Sequence, residues 1–136
     1  MNYIKHFNLK PGDRIISPKS AFGVIQHHAI YLGEDFNGRD QIAENVFGKY
    51  VRAVTADEFF TIYPEVTKIV RFQGNDLDRE LAVKRALDQL GKPYSLINFN
   101  CENFANHVQF GKSFSRQINT AIFLVVVITM VNLLSE

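Results

Sequence analysis

His27-His28-Ala29-Ile30-Tyr31-Leu32-Gly33 and Asn100-Cys101-Glu102-Asn103-Phe104 are the two stretches on which the reading of this chain turns. The first lies in a mostly apolar run from Phe22 to Leu32, which reads as a buried strand with a histidine inside it. The second opens a segment with Cys101, Phe104, Ala105 and Val108 at i, i+3, i+4 and i+7, the set that a helix turns toward a core. Cys101 therefore stands in a helix's first turn, on the side facing the protein. A thiol at that place feels the positive end of the helix dipole, which stabilises its thiolate. A histidine from elsewhere in the fold would complete a nucleophile and base pair suited to acyl transfer through a thioester. Each residue also has a plainer reading: a lone buried cysteine is usually a small core hydrophobe, and a strand histidine a satisfied polar group.

Composition narrows the field. The 136 residues provide one domain with one core. Lys and Arg number 15 against 14 Asp and Glu, a net charge of +1, so bulk charge gives no sign of a nucleic-acid partner. Cys101 is the only cysteine, which excludes an intrachain disulfide and a multi-thiolate metal site. No metal or organic cofactor is implied. One unpaired thiol fits a reducing, cytoplasmic compartment, and the start Met1-Asn2-Tyr3-Ile4-Lys5-His6 lacks a signal peptide's apolar stretch.

Local signals order the rest of the chain. Residues 1–8 read as a loose lead-in, and Leu9-Lys10-Pro11-Gly12-Asp13 as a turn before a short strand at Arg14-Ile15-Ile16. The polar loop from Glu34 to Asp40 suits a hairpin. Short strands follow at Ile42 to Val46 and Tyr50 to Val54, then a brief helix capped near Thr55 and a strand from Val66 to Phe72. Residues 75–91 predict a helix capped by Asn75 or Asp76, with Leu77, Leu81, Leu87 and Leu90 on its core face and Gly91 at its end. A second helix runs from Cys101 to Gly111. From Ile118 to Leu134 the chain carries no charge, at the margin of the roughly 17–20 residues that span a bilayer. Residues 117–136 are therefore expected to form a membrane-anchoring helix, the alternative being a helix or strand buried in the protein.

With Pro11-Gly12-Asp13, His27 through Gly33 and Asn100 through Phe104 in this order, the chain resembles the lecithin:retinol acyltransferase-like family. These are the H-box and NC-box proteins of the NlpC-type papain-like superfamily. The segments Val51 to Phe59 and Leu90 to Leu96 share the likeness, which covers residues 9–113. The resemblance implies an α+β, permuted papain-like domain: a small antiparallel sheet packed on helices, with histidine preceding cysteine. It implies Cys101 as nucleophile, His27 as general base, and His28 as a neighbour on the opposite strand face. The Cys101 N–H would help form an oxyanion hole. Relatives place a second histidine on the following strand to orient the base, whereas here that strand reads Gln41-Ile42-Ala43-Glu44-Asn45-Val46. Glu44 best fits the register, with Asn45 as the alternative, and a carboxylate can hold an imidazole's tautomer. Asn103 replaces another familial histidine, outside the catalytic set. The implied substrate is a membrane phospholipid whose acyl group passes to water, an amine or an alcohol. Two other functions remain open: an NlpC-type peptidase or amidase, and a non-catalytic adaptor for a membrane or host factor.

Overall fold

A computed structural model describes residues 1–19, 25–111 and 116–135. In chain order the elements are α1 (Tyr3–His6), β1 (Arg14–Pro18), β2 (Gln26–Glu34), β3 (Asp40–Asn45), β4 (Val51–Thr55), α2 (Ala56–Ile62), β5 (Lys68–Val70), α3 (Asp76–Asp88), α4 (Cys101–Phe110) and α5 (Arg116–Leu134). The strands form one antiparallel sheet in the order β4-β3-β2-β1-β5. The architecture is α+β, a small antiparallel sheet packed with helices. The run expected to begin at Phe22 enters the sheet at Gln26, and residues 20–24 lie outside the described residues. The hairpin between β2 and β3 forms where the polar loop was read. There Asp35 Oδ1 accepts from the N–H groups of Asn37 (2.8 Å) and Arg39 (3.0 Å).

Strand β2 is central and buried on both faces, and side-chain alternation divides its residues between two cores. Ile30 joins Ala43, Val51, Phe99, Phe104, Ala105 and Val108 beneath α4. Ala29 and Tyr31 join Ile15, Ile42, Phe59 and Phe60 beneath α2. The first residues are not a loose lead-in. α1 is one turn long, and Tyr3 stacks on Phe60 with ring centroids 4.0 Å apart while its hydroxyl donates to the Pro64 carbonyl (2.9 Å). Periodicity missed this turn because its contacts are with residues distant in sequence.

The face of α3 also differs from the reading. Its start is capped as expected, with Asn75 and Asp78 accepting from each other's N–H groups. The four leucines, however, are 44–63% exposed, and Ala82 and Ala86 are the buried residues. Small side chains allow α3 to lie close against α4, where Arg85 donates from Nε and Nη2 to the Val108 carbonyl (2.9 and 2.6 Å).

The C-terminal segment is helical, and its described apolar side chains, Ile122 through Leu134, are exposed and not part of the core. Among the described residues no helix is long and apolar enough to cross a membrane. The expected spanning anchor thus finds no support among the described residues. The 19 residues of α5 extend about 28 Å. They include Arg116 and Gln117, so the uncharged part, residues 118–134, stays at the lower margin for a hydrocarbon core about 30 Å thick.

Asp13, at the end of the Pro-Gly-Asp turn, ties the two ends of this layout together. Its buried carboxylate accepts from the N–H groups of Lys10 and Phe72 (both 2.9 Å) and pairs with Arg71 (3.1 Å) and Arg79 (2.9 Å). Burial opposes its charge, but these four contacts outweigh burial and hold its pKa below the ordinary value of 3.8. Asp13→Ala should lower the unfolding free energy by the lower end of about 3–5 kcal/mol, since half-exposed Arg71 can return to water. Urea titration at pH 7 measures the loss. A carboxylate with a depressed folded pKa stabilises above its unfolded value and loses that contribution as pH falls through the folded one. The gap between wild type and variant should therefore shrink only below about pH 4, and a gap that widens on acidification would contradict this role.

Candidate active site

Cys101 owes its place to a reciprocal cap. Asn100 Oδ1 accepts from the Asn103 N–H (2.9 Å), and Asn103 Oδ1 accepts from the Asn100 N–H (2.8 Å). Asn100 Nδ2 also donates to the Leu96 carbonyl (2.9 Å), fixing the incoming loop. This is a capping box with asparagine in the place usually held by Glu or Gln. Asn103 thus has a structural task in the site. Cys101 becomes the first residue of α4, where its N–H has no acceptor within the helix. Its buried Sγ lies 3.7 Å from the Gln26 carbonyl oxygen, next to the strand position that carries His27.

His27 points to the α2 side of the sheet. Its Nε2 is 2.8 Å from Glu44 Oε1, and its ring stacks on Tyr63 (4.5 Å between centroids) near Phe59. Glu44 lies opposite Ala29 in the ladder, so it shares the face of His27. Asn45 faces the other way, where its Nδ2 donates to the Phe99 carbonyl (2.9 Å). Glu44 Oε2 receives Arg52 Nε and Nη2, both at 3.0 Å, from the directly opposed position on β4. With Nε2 committed to Glu44, His27 Nδ1 has no hydrogen-bond partner among the described residues.

The electrostatics of this group favour charge separation. Burial raises the Cys101 pKa, but His27, the His28 backbone N–H and Lys19 together bring it below the ordinary thiol value. Burial depresses His27, but the nearby sulfur and the Glu44 carboxylate raise it above 6.5. Glu44 is held low against its burial by His27 and Arg52. His28 behaves oppositely: burial and then Arg14 push it down to about 4, which leaves a neutral ring at pH 7. It belongs to a separate cluster on the α4 side, with Arg14 Nη1 3.5 Å from its Nδ1 and Arg14 Nη2 donating to Asn106 (2.5 Å).

A groove of about 230 Å³ opens over the sulfur, lined by Lys19, Ile25, Tyr94, Leu96, Cys101 and Ala121. Its walls are mainly apolar, with one cation beside them. Ala121 comes from α5, so the C-terminal helix is not remote from the thiol as its sequence position suggests. A larger apolar cavity of about 450 Å³ beside Leu32, Phe36 and Leu87 contains none of the three candidate residues. Among the described residues no cluster of three His, Cys, Asp or Glu side chains could hold a metal ion.

The chain belongs to the lecithin retinol acyltransferase family, whose sequence profile matches residues 7–114. It is similar to the human protein phospholipase A and acyltransferase 2, at 48% identity over 42 residues. That match covers 29% of this chain and 26% of the relative, so it spans about a quarter of the relative's length.

The structure brings Cys101, His27 and Glu44 to one end of the sheet and adds two residues that sequence reading had not singled out, Arg52 and Tyr63. Arg52 is foreshadowed only by its register, since a buried carboxylate on β3 calls for a cation opposite. Tyr63 had no signal in sequence. Iodoacetamide should alkylate Cys101 with a midpoint below the ordinary thiol value of 9.0, and faster at pH 7 than in the urea-unfolded chain. His27→Ala should move the midpoint up toward that value. A native midpoint at or above it would contradict the described coupling.

Proposed function

We propose that the chain is a thiol-dependent acyltransferase or phospholipase A that acts on a glycerophospholipid through a Cys101 thioester. One observation carries this reading. A buried imidazole, fixed through Nε2 by a carboxylate, keeps Nδ1 without a partner among the described residues, beside a thiol at a helix N-terminus. That is the arrangement of a nucleophile, its base and the group that orients the base.

In this mechanism the Cys101 sulfur turns from the Gln26 carbonyl and passes its proton to His27 Nδ1. The thiolate attacks the ester carbonyl carbon, and the Cys101 N–H stabilises the developing oxyanion. On collapse, His27 returns the proton to the departing lyso-lipid oxygen, leaving an acyl thioester on Cys101. Water, an amine or an alcohol then loses a proton to His27 and attacks the thioester, which releases the acyl product and the thiol. Glu44 stays ionised throughout and stabilises the imidazolium. The apolar walls of the groove suit an acyl chain, and Lys19 suits a phosphate. The family and the named activity of the human relative support the lipid substrate over a peptide, and the filled Glu44 position supports a catalyst over an adaptor. In this reading residues 9–113 form the catalytic domain. Its histidine strand precedes its cysteine helix in the permuted papain-like order, and it works in a reducing, cytoplasmic compartment at the membrane surface where its substrate lies.

Incubation of the purified chain with phosphatidylcholine vesicles, followed by mass spectrometry of the lipids, tests the reading. Wild type should release lyso-lipid, and Cys101→Ala and His27→Ala should each abolish release while circular dichroism stays native. His28→Ala should retain activity. Glu44→Ala should lower the rate by about one to four orders of magnitude, as supporting members of triads do. Release that survives loss of His27, or equal losses at both histidines, would reject the assignment.

A further inference from the structure

We propose that Arg52 is a positioning residue for the reacting pair, holding Glu44 in the one orientation that presents Oε1 to His27. The inference rests on the catalytic reading above and deepens it. A carboxylate has two oxygens and a rotatable end, so a single bond to imidazole leaves its plane undetermined. Here Arg52 Nε and Nη2 both lie 3.0 Å from Oε2, while His27 Nε2 lies 2.8 Å from Oε1. The planar guanidinium therefore fixes one oxygen through two donors and leaves the other for the base.

Burial and register make the clamp necessary and rigid. The Glu44 side chain is 1% exposed, and a buried carboxylate without a cation neutralises instead of remaining charged. Arg52 is its directly opposed neighbour on the adjoining strand, 30% exposed, so the cation is delivered by the sheet ladder and not by a loop.

The charged and titratable groups around His27 are Glu44 from β3, Arg52 from β4, Tyr63 after α2, Cys101 from α4 with Lys19 acting on its sulfur, and the adjacent His28. They give the test a sign. If Arg52 acted only as a nearby positive charge, its removal would make His27 easier to protonate. If Arg52 positions Glu44, its removal loosens the carboxylate and makes His27 harder to protonate.

The experiment follows the His27 imidazole by NMR as pH is varied, using the full chain and its Arg52→Met, Arg52→Gln, Arg52→Lys and Glu44→Gln variants. Turnover of phosphatidylcholine vesicles is measured alongside. Arg52→Met and Arg52→Gln should lower the His27 midpoint and reduce kcat by about 10- to 100-fold, the loss typical when an outer partner of a functional imidazole is removed. KM should change little, and Arg52→Lys should recover part of both effects. A midpoint that rises or stays in place in the Met and Gln variants would overturn the proposal. Glu44→Gln separates the two levels of inference. If it leaves the midpoint and turnover unchanged, the assignment of Glu44 fails. If it lowers both while the Arg52 variants do not, only the role of Arg52 fails.

Discussion

Burial of β2 on both faces is the constraint from which the candidate site follows. Adjacent residues of a strand point to opposite sides, so two neighbouring histidines cannot share an environment. His28 is directed toward α4 and the Arg14 cluster, where burial and then a cation keep it neutral. His27 is directed toward α2 and the carboxylate of Glu44, where it gains protons. A slip of one residue in register would exchange these roles and place Asn45 where Glu44 lies. The cores on each face, Ile30 and Ala43 on one side and Ala29, Tyr31 and Ile42 on the other, make such a slip costly.

Charge is buried here only where it is answered. Desolvation opposes ionisation of Cys101, His27 and Glu44 alike, and none of these groups would hold its charge alone. Linked in series, with Arg52 at the far end, each ion has a counter-ion and each Glu44 oxygen has a donor. The same logic governs Asp13 at the opposite end of the fold, where two arginines and two backbone N–H groups surround one carboxylate. Under the proposed function the first network supports chemistry, whereas the second supports the fold. The difference is His27 Nδ1, which has no hydrogen-bond partner among the described residues and lies beside the thiol.

Much of this was legible before the structure because the signals were local. The helix at Cys101 could be read from the spacing of Phe104, Ala105 and Val108, all three of which are buried. Strand alternation separated His27 from His28. What could not be read depends on partners far along the chain. The leucines of α3 suggested its buried face, but close packing against α4 favours Ala82 and Ala86. α1 has too few residues for a period and is held by Tyr3 on Phe60. The uncharged tail suggests a bilayer span, which the described residues of its helix do not support. Asn103 reads in sequence as a departure from the familial pattern, yet it closes the cap that places the thiol. Gly33 is explained only in three dimensions: it has φ +96° beside a bulge in β2, and a Cβ there would lie 3.2 Å from Pro11.

Under the proposed function Cys101 carries the acyl group between donor and acceptor. The most direct measurement is rapid acid quenching of the full chain during turnover of phosphatidylcholine with one defined acyl chain, followed by intact-mass and peptide analysis. The expected result is a mass increase equal to that acyl group, confined to the peptide containing Cys101, released by neutral hydroxylamine and missing from Cys101→Ser under the same treatment. Turnover with no such adduct at the earliest quench times, or an adduct on another residue, would contradict it.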